Sequence, residues 1–187
     1  MPSRTPPAPT DAATAARSTR DRLLDAVERL LVEAGPRAAT LDAVAAAAGV
    51  SKGGLLYHFA TKDALVEGLL DRLRALAAED LARMRSAPEG AARYYVRTSV
   101  VAPGDPLQRA TIAALRLVQD ADRRAVEAFT EVSEGWRVAI EEELGDRALS
   151  RVVQLVGDGL WMSASMGVVP EDLEEVLAAL PGVPDEG

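Results

Sequence analysis

Cysteine is absent from the 187 residues, which excludes disulfides, thiol catalysis and cysteine-based metal sites. Histidine occurs once, as His58, so a zinc or haem centre is not expected. Lysine is almost missing: Lys52 and Lys62 are the two in the chain, and every other basic side chain is arginine. Aromatic residues make up only 4%. Long apolar runs are missing too. The longest charge-free stretch, residues 159–170, has 12 residues, too few to cross a bilayer as a helix. The N-terminal stretch lacks the continuous apolar core of a secretory signal. The expectation is a cytoplasmic protein that makes no membrane contact. No P-loop, dinucleotide fingerprint, metal motif or convergent catalytic set is visible. No metal ligand, catalytic residue, cofactor or enzymatic activity is therefore expected.

What remains is abundant in helix formers, and 48% of the chain is hydrophobic, enough for a buried core. The net charge of −8 is unevenly spread. Residues 1–62 carry eight Lys/Arg against six Asp/Glu, and residues 63–187 carry 13 against 23. A mildly basic head on an acidic body can still bind phosphates, because only charges within about a Debye length, ~8 Å, act strongly.

The periodicity predicts an all-α chain. Residues 1–17, rich in Pro, Ala and Thr, read as a flexible tail. Helices are expected over 19–34, 41–48, 52–58, 62–86, 90–101, 106–119, 122–144, 147–166 and 171–180. Thr40, Ser51 and Thr61 are placed as N-caps, Gly35-Pro36 and Gly49 as stops, and Pro106 and Pro170 at helix starts.

The segment "LDAVAAAAGVSKGGLLYHF" has the spacing of a helix-turn-helix. Ala45 is small where two helices cross. Gly49 closes the turn in a left-handed conformation. Val44, Val50 and Leu55 fill the space between the helices, which leaves the second helix free for a DNA major groove. Leu55 and Phe59 read as core; Leu56 fits either core or contact, with core favoured. Spacing alone does not separate this from a helical hairpin in any all-helical protein.

Residues 19–65, about a quarter of the chain, closely resemble the DNA-binding head of the tetracycline-repressor (TetR/AcrR) family. The family pattern "AGVSKGTLYHYF" followed by "SKEAL" reads here "AGVSKGGLLYHFATKDAL". The resemblance implies a helix-turn-helix domain over 18–62 and an effector-binding and dimerisation bundle over 63–187. It implies that Thr40 bonds a phosphate, and that Ser51, Lys52, Gly53 and Gly54 begin the recognition helix. Tyr57 and His58 would reach bases or phosphates at its far end, and Lys62 would clamp a phosphate at the next helix start. Two positions depart from the pattern: Gly54 replaces the family's usual Thr and Leu56 its usual Tyr. The two glycines weaken a helix by about 1 kcal/mol each relative to Ala. Either they allow close approach to DNA, or the short helix is loosely held.

The resemblance further implies a homodimer that binds double-stranded DNA and a small-molecule effector. The dimer candidates are Leu149, Val152, Val153, Val156 and Leu160 on one helix, with Ser163, and Leu173, Val176, Leu177 and Leu180 on the next. The effector candidates are the bulky residues Met84, Tyr94, Tyr95, Ile112, Leu115, Phe129, Trp136, Trp161 and Met162, with Arg93 and Arg97 read either as anchors for an acidic group or as surface residues. Together they suggest an apolar or aromatic effector with few polar contacts. The expected function is a ligand-responsive repressor released from a palindromic operator. An alternative keeps the fold and binds a lipid or other small molecule without DNA.

Overall fold

A computed structural model describes residues 18–100, 104–168 and 171–180; the tail of residues 1–17 and the helix start expected at Pro170 lie outside these. Among the described residues every regular element is a helix: α1 (Thr19–Ala34), α2 (Leu41–Ala48), α3 (Lys52–His58), α4 (Lys62–Arg85), α5 (Ala91–Ser99), α6 (Pro106–Gln119), α7 (Arg123–Leu144), α8 (Arg147–Ser165) and α9 (Leu173–Ala179). The all-α expectation holds, with helix ends within two residues of those predicted.

Local chemistry fixes most of the starts. Ser18, Thr40, Ser51, Thr61, Asp105, Asp122 and Asp146 each accept a backbone N–H from the first turn of the helix that follows. Each such cap contributes about 1 kcal/mol by satisfying an orphan donor. Gly35 and Gly145 end α1 and α7 at positive φ.

Two apolar clusters hold the helices together. The first joins Leu23, Leu24, Leu31, Val44, Leu55, Phe59, Leu69 and Leu73 of α1–α4 to Ala110, Ala114, Leu117, Ala125 and Ala128 of α6 and α7. The core of the N-terminal helices therefore continues into the body. The alanines let α6 sit close against α1 and α4. The second cluster gathers Met84, Ala92, Tyr95, Val96, Ile140, Val153 and Leu177 from α4, α5, α7, α8 and α9.

Charges reinforce the first cluster. Arg72 on α4 reaches Asp25 (2.7 Å), Glu28 (3.1 Å) and Asp21 (3.3 Å) of α1. Arg109 of α6 lies 3.8 Å from the same Glu28, which is buried. Burial pushes the Glu28 carboxyl up, against the pull of Arg72. Three helices thus meet at one acid.

Candidate nucleic-acid interface and effector cavity

Gly49 caps α2 at φ 67°, ψ 37°, the left-handed conformation expected of the turn. Its N–H and that of Val50 both return to the carbonyl of Ala45. Val44 and Leu55 are fully buried, Ala45 nearly so, and Val50 packs against them. This small core sets α3 against α2. Phe59, at the C-cap of α3, anchors the other end of α3 on α4. A Cβ added to Gly68 would stand 2.6 Å from Phe59 Cε1, so the bare helix backbone there makes room for the ring. Arg20 stacks over the ring, 5.4 Å from the centroid.

The surface left free carries the residues named from the sequence. Thr40, Ser51, Lys52, Gly53, Tyr57, His58 and Lys62 are all exposed, and Gly54 is half-buried. Tyr57 is 86% exposed, an unusual position for a tyrosine in a protein this poor in aromatics. His58 meets it edge-on at 5.1 Å. The hydroxyls of Thr40 and Ser51 accept from Ala43 N–H (3.2 Å) and Gly54 N–H (3.1 Å). Lys52 pairs with Asp42 of α2 at 3.0 Å, and Lys62 donates to the Pro36 carbonyl at 3.1 Å. Leu56 corrects the reading as core: it is 38% exposed. A seven-residue helix buries one narrow line, here Leu55 and then Phe59, and Leu56 sits about 100° away from it. A Cβ on Gly53 would meet only open space and the Ser51 hydroxyl 4.0 Å away; on Gly54 it would crowd that hydroxyl at 3.3 Å.

A cavity of about 720 Å³ opens in the body between α4, α5, α7, α8 and the start of α6. Of the effector candidates, Tyr94, Tyr95, Arg97, Phe129, Trp136 and Trp161 line it. Met84, Ile112, Leu115 and Met162 do not. Met84 is buried in the second cluster and Met162 faces outward at 47% exposure. Size alone selected these four, and size does not say which side of a helix faces a void.

The polar part of the wall was not foreseen. Asp80 accepts from Tyr94 Oη (2.9 Å), Trp136 Nε1 (3.1 Å) and Arg83 (3.4 Å). Tyr95 donates to Asp158 at 2.6 Å, and its ring lies 5.9 Å from that of Trp136. Burial, reinforced by Asp158, pushes the Tyr95 phenol above its ordinary value, so it stays a donor. Asp158 had a signal in the sequence: it is the sole charged residue between Arg151 and Glu171. Arg97 is tied to Glu89 (2.9 Å) and Glu174 (3.2 Å), so its guanidinium is already paired at the cavity edge.

The dimer candidates divide. Val153 and Leu177 are buried in the chain's own second cluster and offer no surface to a partner. Val156, Leu160, Leu173, Val176 and Leu180 pack partly against that cluster. Leu149 and Ser163 are half-buried, and Val152 is 55% exposed. With Val152, the residues Leu155, Met162 and Met166 form an exposed apolar line along α8 and just past its end. Gly159 lies in the same line, and a Cβ there would meet nothing.

Comparison with known proteins bears on both ends of the chain. The family model "Bacterial regulatory proteins, tetR family" matches residues 23–69, and "Tetracyclin repressor-like, C-terminal domain" matches residues 89–182. The chain is 29% identical over 174 residues to the HTH-type transcriptional regulator BetI of Burkholderia thailandensis, spanning 84% of this chain and 87% of that protein. Over 66 residues it is 36% identical to the HTH-type transcriptional regulator UidR of Escherichia coli K12, 34% of each. The solved structure of the multidrug binding protein EbrR complexed with malachite green is similar at a TM-score of 0.66 and 25% identity, over 88% of this chain and 98% of that one. Reduced NemR of Escherichia coli shares the fold at a TM-score of 0.69 and 22% identity, over 89% and 100%.

Proposed function

The chain belongs to the tetR family of bacterial regulatory proteins, DNA-binding transcriptional regulators, and we propose that it acts as a repressor released from its operator by a small effector. The single observation that carries the release step is the reach of two helices. Along α4 run Lys62 at the DNA-facing end and Leu76, Glu79, Asp80 and Arg83 in the cavity wall. Along α6 run Gln108 and Thr111 in the wall and Arg109 near Glu28 of α1. A ligand that favours a different setting of either helix must change the setting of the N-terminal helices too. Because that core is continuous, a shift at one end is transmitted rather than absorbed.

In this reading Lys52, Lys62 and the caps Thr40 and Ser51 hold phosphates, while Gly53, Gly54, Tyr57 and His58 face the groove. The side of the cavity formed by buried Tyr95 and half-buried Tyr94, Trp136 and Trp161 receives the effector; the similar protein EbrR is complexed with malachite green in its own structure. The apolar line on α8 supports pairing with a second copy, which would set two recognition helices about 34–36 Å apart and call for a palindrome.

The test is selection of bound sequences from random duplex DNA at two salt concentrations. Recovery of a near-palindrome with a steep loss of binding at the higher salt is expected. No enrichment at low salt would reject the proposal.

A further inference from the structure

The charge on the cavity wall is lopsided. Glu79, Asp80, Asp105 and Asp158 line it against Arg83 and Arg97. Both arginines are engaged. Arg97 turns to Glu89 and Glu174, neither of which lines the cavity, and Arg83 turns to Asp80 and Tyr94. No ion-pair partner is found for Glu79, Asp105 or Asp158 among the described residues. Asp105 has a local task, capping α6. Asp158 accepts one hydrogen bond, from Tyr95 to Oδ1.

The apolar part of the wall is aromatic. Tyr95 and Trp136 hydrogen-bond to Asp158 and Asp80 of the same wall, so both rings donate to a carboxylate. Such donation enriches the ring face in electron density, and an electron-rich face attracts a cation. An anionic ligand would meet the carboxylates with both arginines already matched. A neutral one would gain at most a hydrogen bond to Asp158 or Glu79, without the Coulomb attraction. Carboxylates on α4, α8 and at the start of α6, with no matching free cation among the described residues of the wall, give the partly enclosed space a negative potential that favours a ligand of the opposite sign.

We propose that the cavity takes an aromatic organic cation, its charge beside Asp158 and its rings against Tyr95, Trp136 and Trp161. This rests on the reading of the cavity as the effector site and narrows it from apolar to cationic. The cavity volume of 720 Å³ lies within the range of about 300–1,000 Å³ of small-molecule sites.

The test compares three ligands of nearly one shape by calorimetry on the full chain: N-methylacridinium, acridine held neutral above its own titration, and anthracene carboxylate. The cation is expected to bind at least about tenfold more tightly than the neutral ring, and the anion most weakly. Asp158→Asn keeps an acceptor for Tyr95, so it should fold normally. It should weaken the cation about tenfold and leave acridine within about twofold. Acridine or the carboxylate binding as well as the cation overturns the proposal, and so does no binding by any of the three. A second variant, Thr98→Trp, fills the cavity from its exposed rim. If a neutral or anionic ring binds and Thr98→Trp abolishes it, the effector site stands and only its charge preference falls. If binding is indifferent to Thr98→Trp, the site itself falls.

Discussion

The ring of Tyr95 rests on the bare backbone of Gly157. A Cβ at position 157 would stand 2.5 Å from Cε1 and 2.7 Å from Cδ1 of the ring, and 2.9 Å from the Ser99 hydroxyl. Tyr95 is buried, so it cannot swing clear into solvent. Gly157→Ala therefore forces the ring into the cavity and breaks its bond to Asp158. Two effects compete. Alanine in a helix is worth about 1 kcal/mol over glycine. Overpacking a filled site costs about 1–3 kcal/mol. The clash is with a buried aromatic ring that yields only by giving up its bond to Asp158, so the second should win. Urea unfolding is expected to show a net loss of stability, and calorimetry a loss of cavity binding. A variant as stable as the parent with unchanged ligand affinity would mean that the ring has room to move.

Gly53 offers the opposite case. Its added Cβ meets nothing closer than 4.0 Å, so Gly53→Ala should stabilise α3 by up to about 1 kcal/mol. If the glycine is there to let DNA approach the backbone, the same variant binds duplex DNA more weakly. The expected result is a raised urea midpoint together with a raised Kd. Raised stability with unchanged DNA affinity would leave the glycine with no role in binding.

Lys62 and Asp42 test the phosphate contacts. Lys62→Ala should weaken binding to all duplexes about equally and lower the salt slope by about 0.9. A changed sequence preference would contradict a phosphate role. Asp42 holds the Lys52 ammonium at 3.0 Å, and both are exposed. A pair of that kind is worth at most about 1 kcal/mol, so Asp42→Asn should tighten DNA binding up to about fivefold at low salt. Filter binding across a salt series reads both.

Glu28 predicts a pH signature. Burial raises its folded pKa above the unfolded value near 4.5. A raised carboxyl binds more protons folded than unfolded, so its contribution to stability falls as pH rises through that window. Asp21 and Asp122 have lowered values, owing first to hydrogen bonds from Ser18 and Arg124, and act in the reverse sense, losing stability as pH falls. Glu28→Gln removes only the first trend. Its stability relative to the parent should therefore be greater at pH about 7 than at pH about 4, read by urea unfolding. Equal differences at both would place the Glu28 carboxyl at its ordinary value.

The helices and the helix-turn-helix were legible because their signals are local. Caps such as Thr40 and Ser51, and the stop at Gly49, act within one turn of chain. The inward face of α8 was not legible. The buried line there includes Ser150, Gln154 and Gly157, residues that hydrophobic periodicity counts as outward. Gln154 is satisfied by the carbonyl and hydroxyl of Ser133 at 2.9 and 2.8 Å, and Gly157 by the Tyr95 ring. Both partners are distant in sequence. The apolar stripe predicted from Leu149, Val152, Val153, Val156 and Leu160 consequently falls about a quarter turn from the outward line that the fold leaves bare. The cavity acids were missed for a related reason: an Asp on a helix reads as solvated until the rings that bond it are known.

That outward line decides the last prediction. Val152, Leu155, Gly159, Met162 and Met166 recur at alternating three- and four-residue steps, the spacing of a helix–helix seam. Leu155 is 58% exposed and Met166 67%, so neither contributes much to the fold of one chain. Val153, two residues before Leu155, is 1% exposed and does. Leu155→Glu should leave the helical signal and the urea midpoint of the isolated chain nearly unchanged. If two copies pair along this line, the variant should sediment as a monomer where the parent sediments as a dimer, and should lose the avidity that pairing gives on a palindrome, though not single phosphate contacts. Val153→Ala should do the reverse, losing about 1–3 kcal/mol of stability through the cavity it leaves without disturbing the partner face. If Leu155→Glu sediments as a dimer, the line on α8 is not where two copies meet.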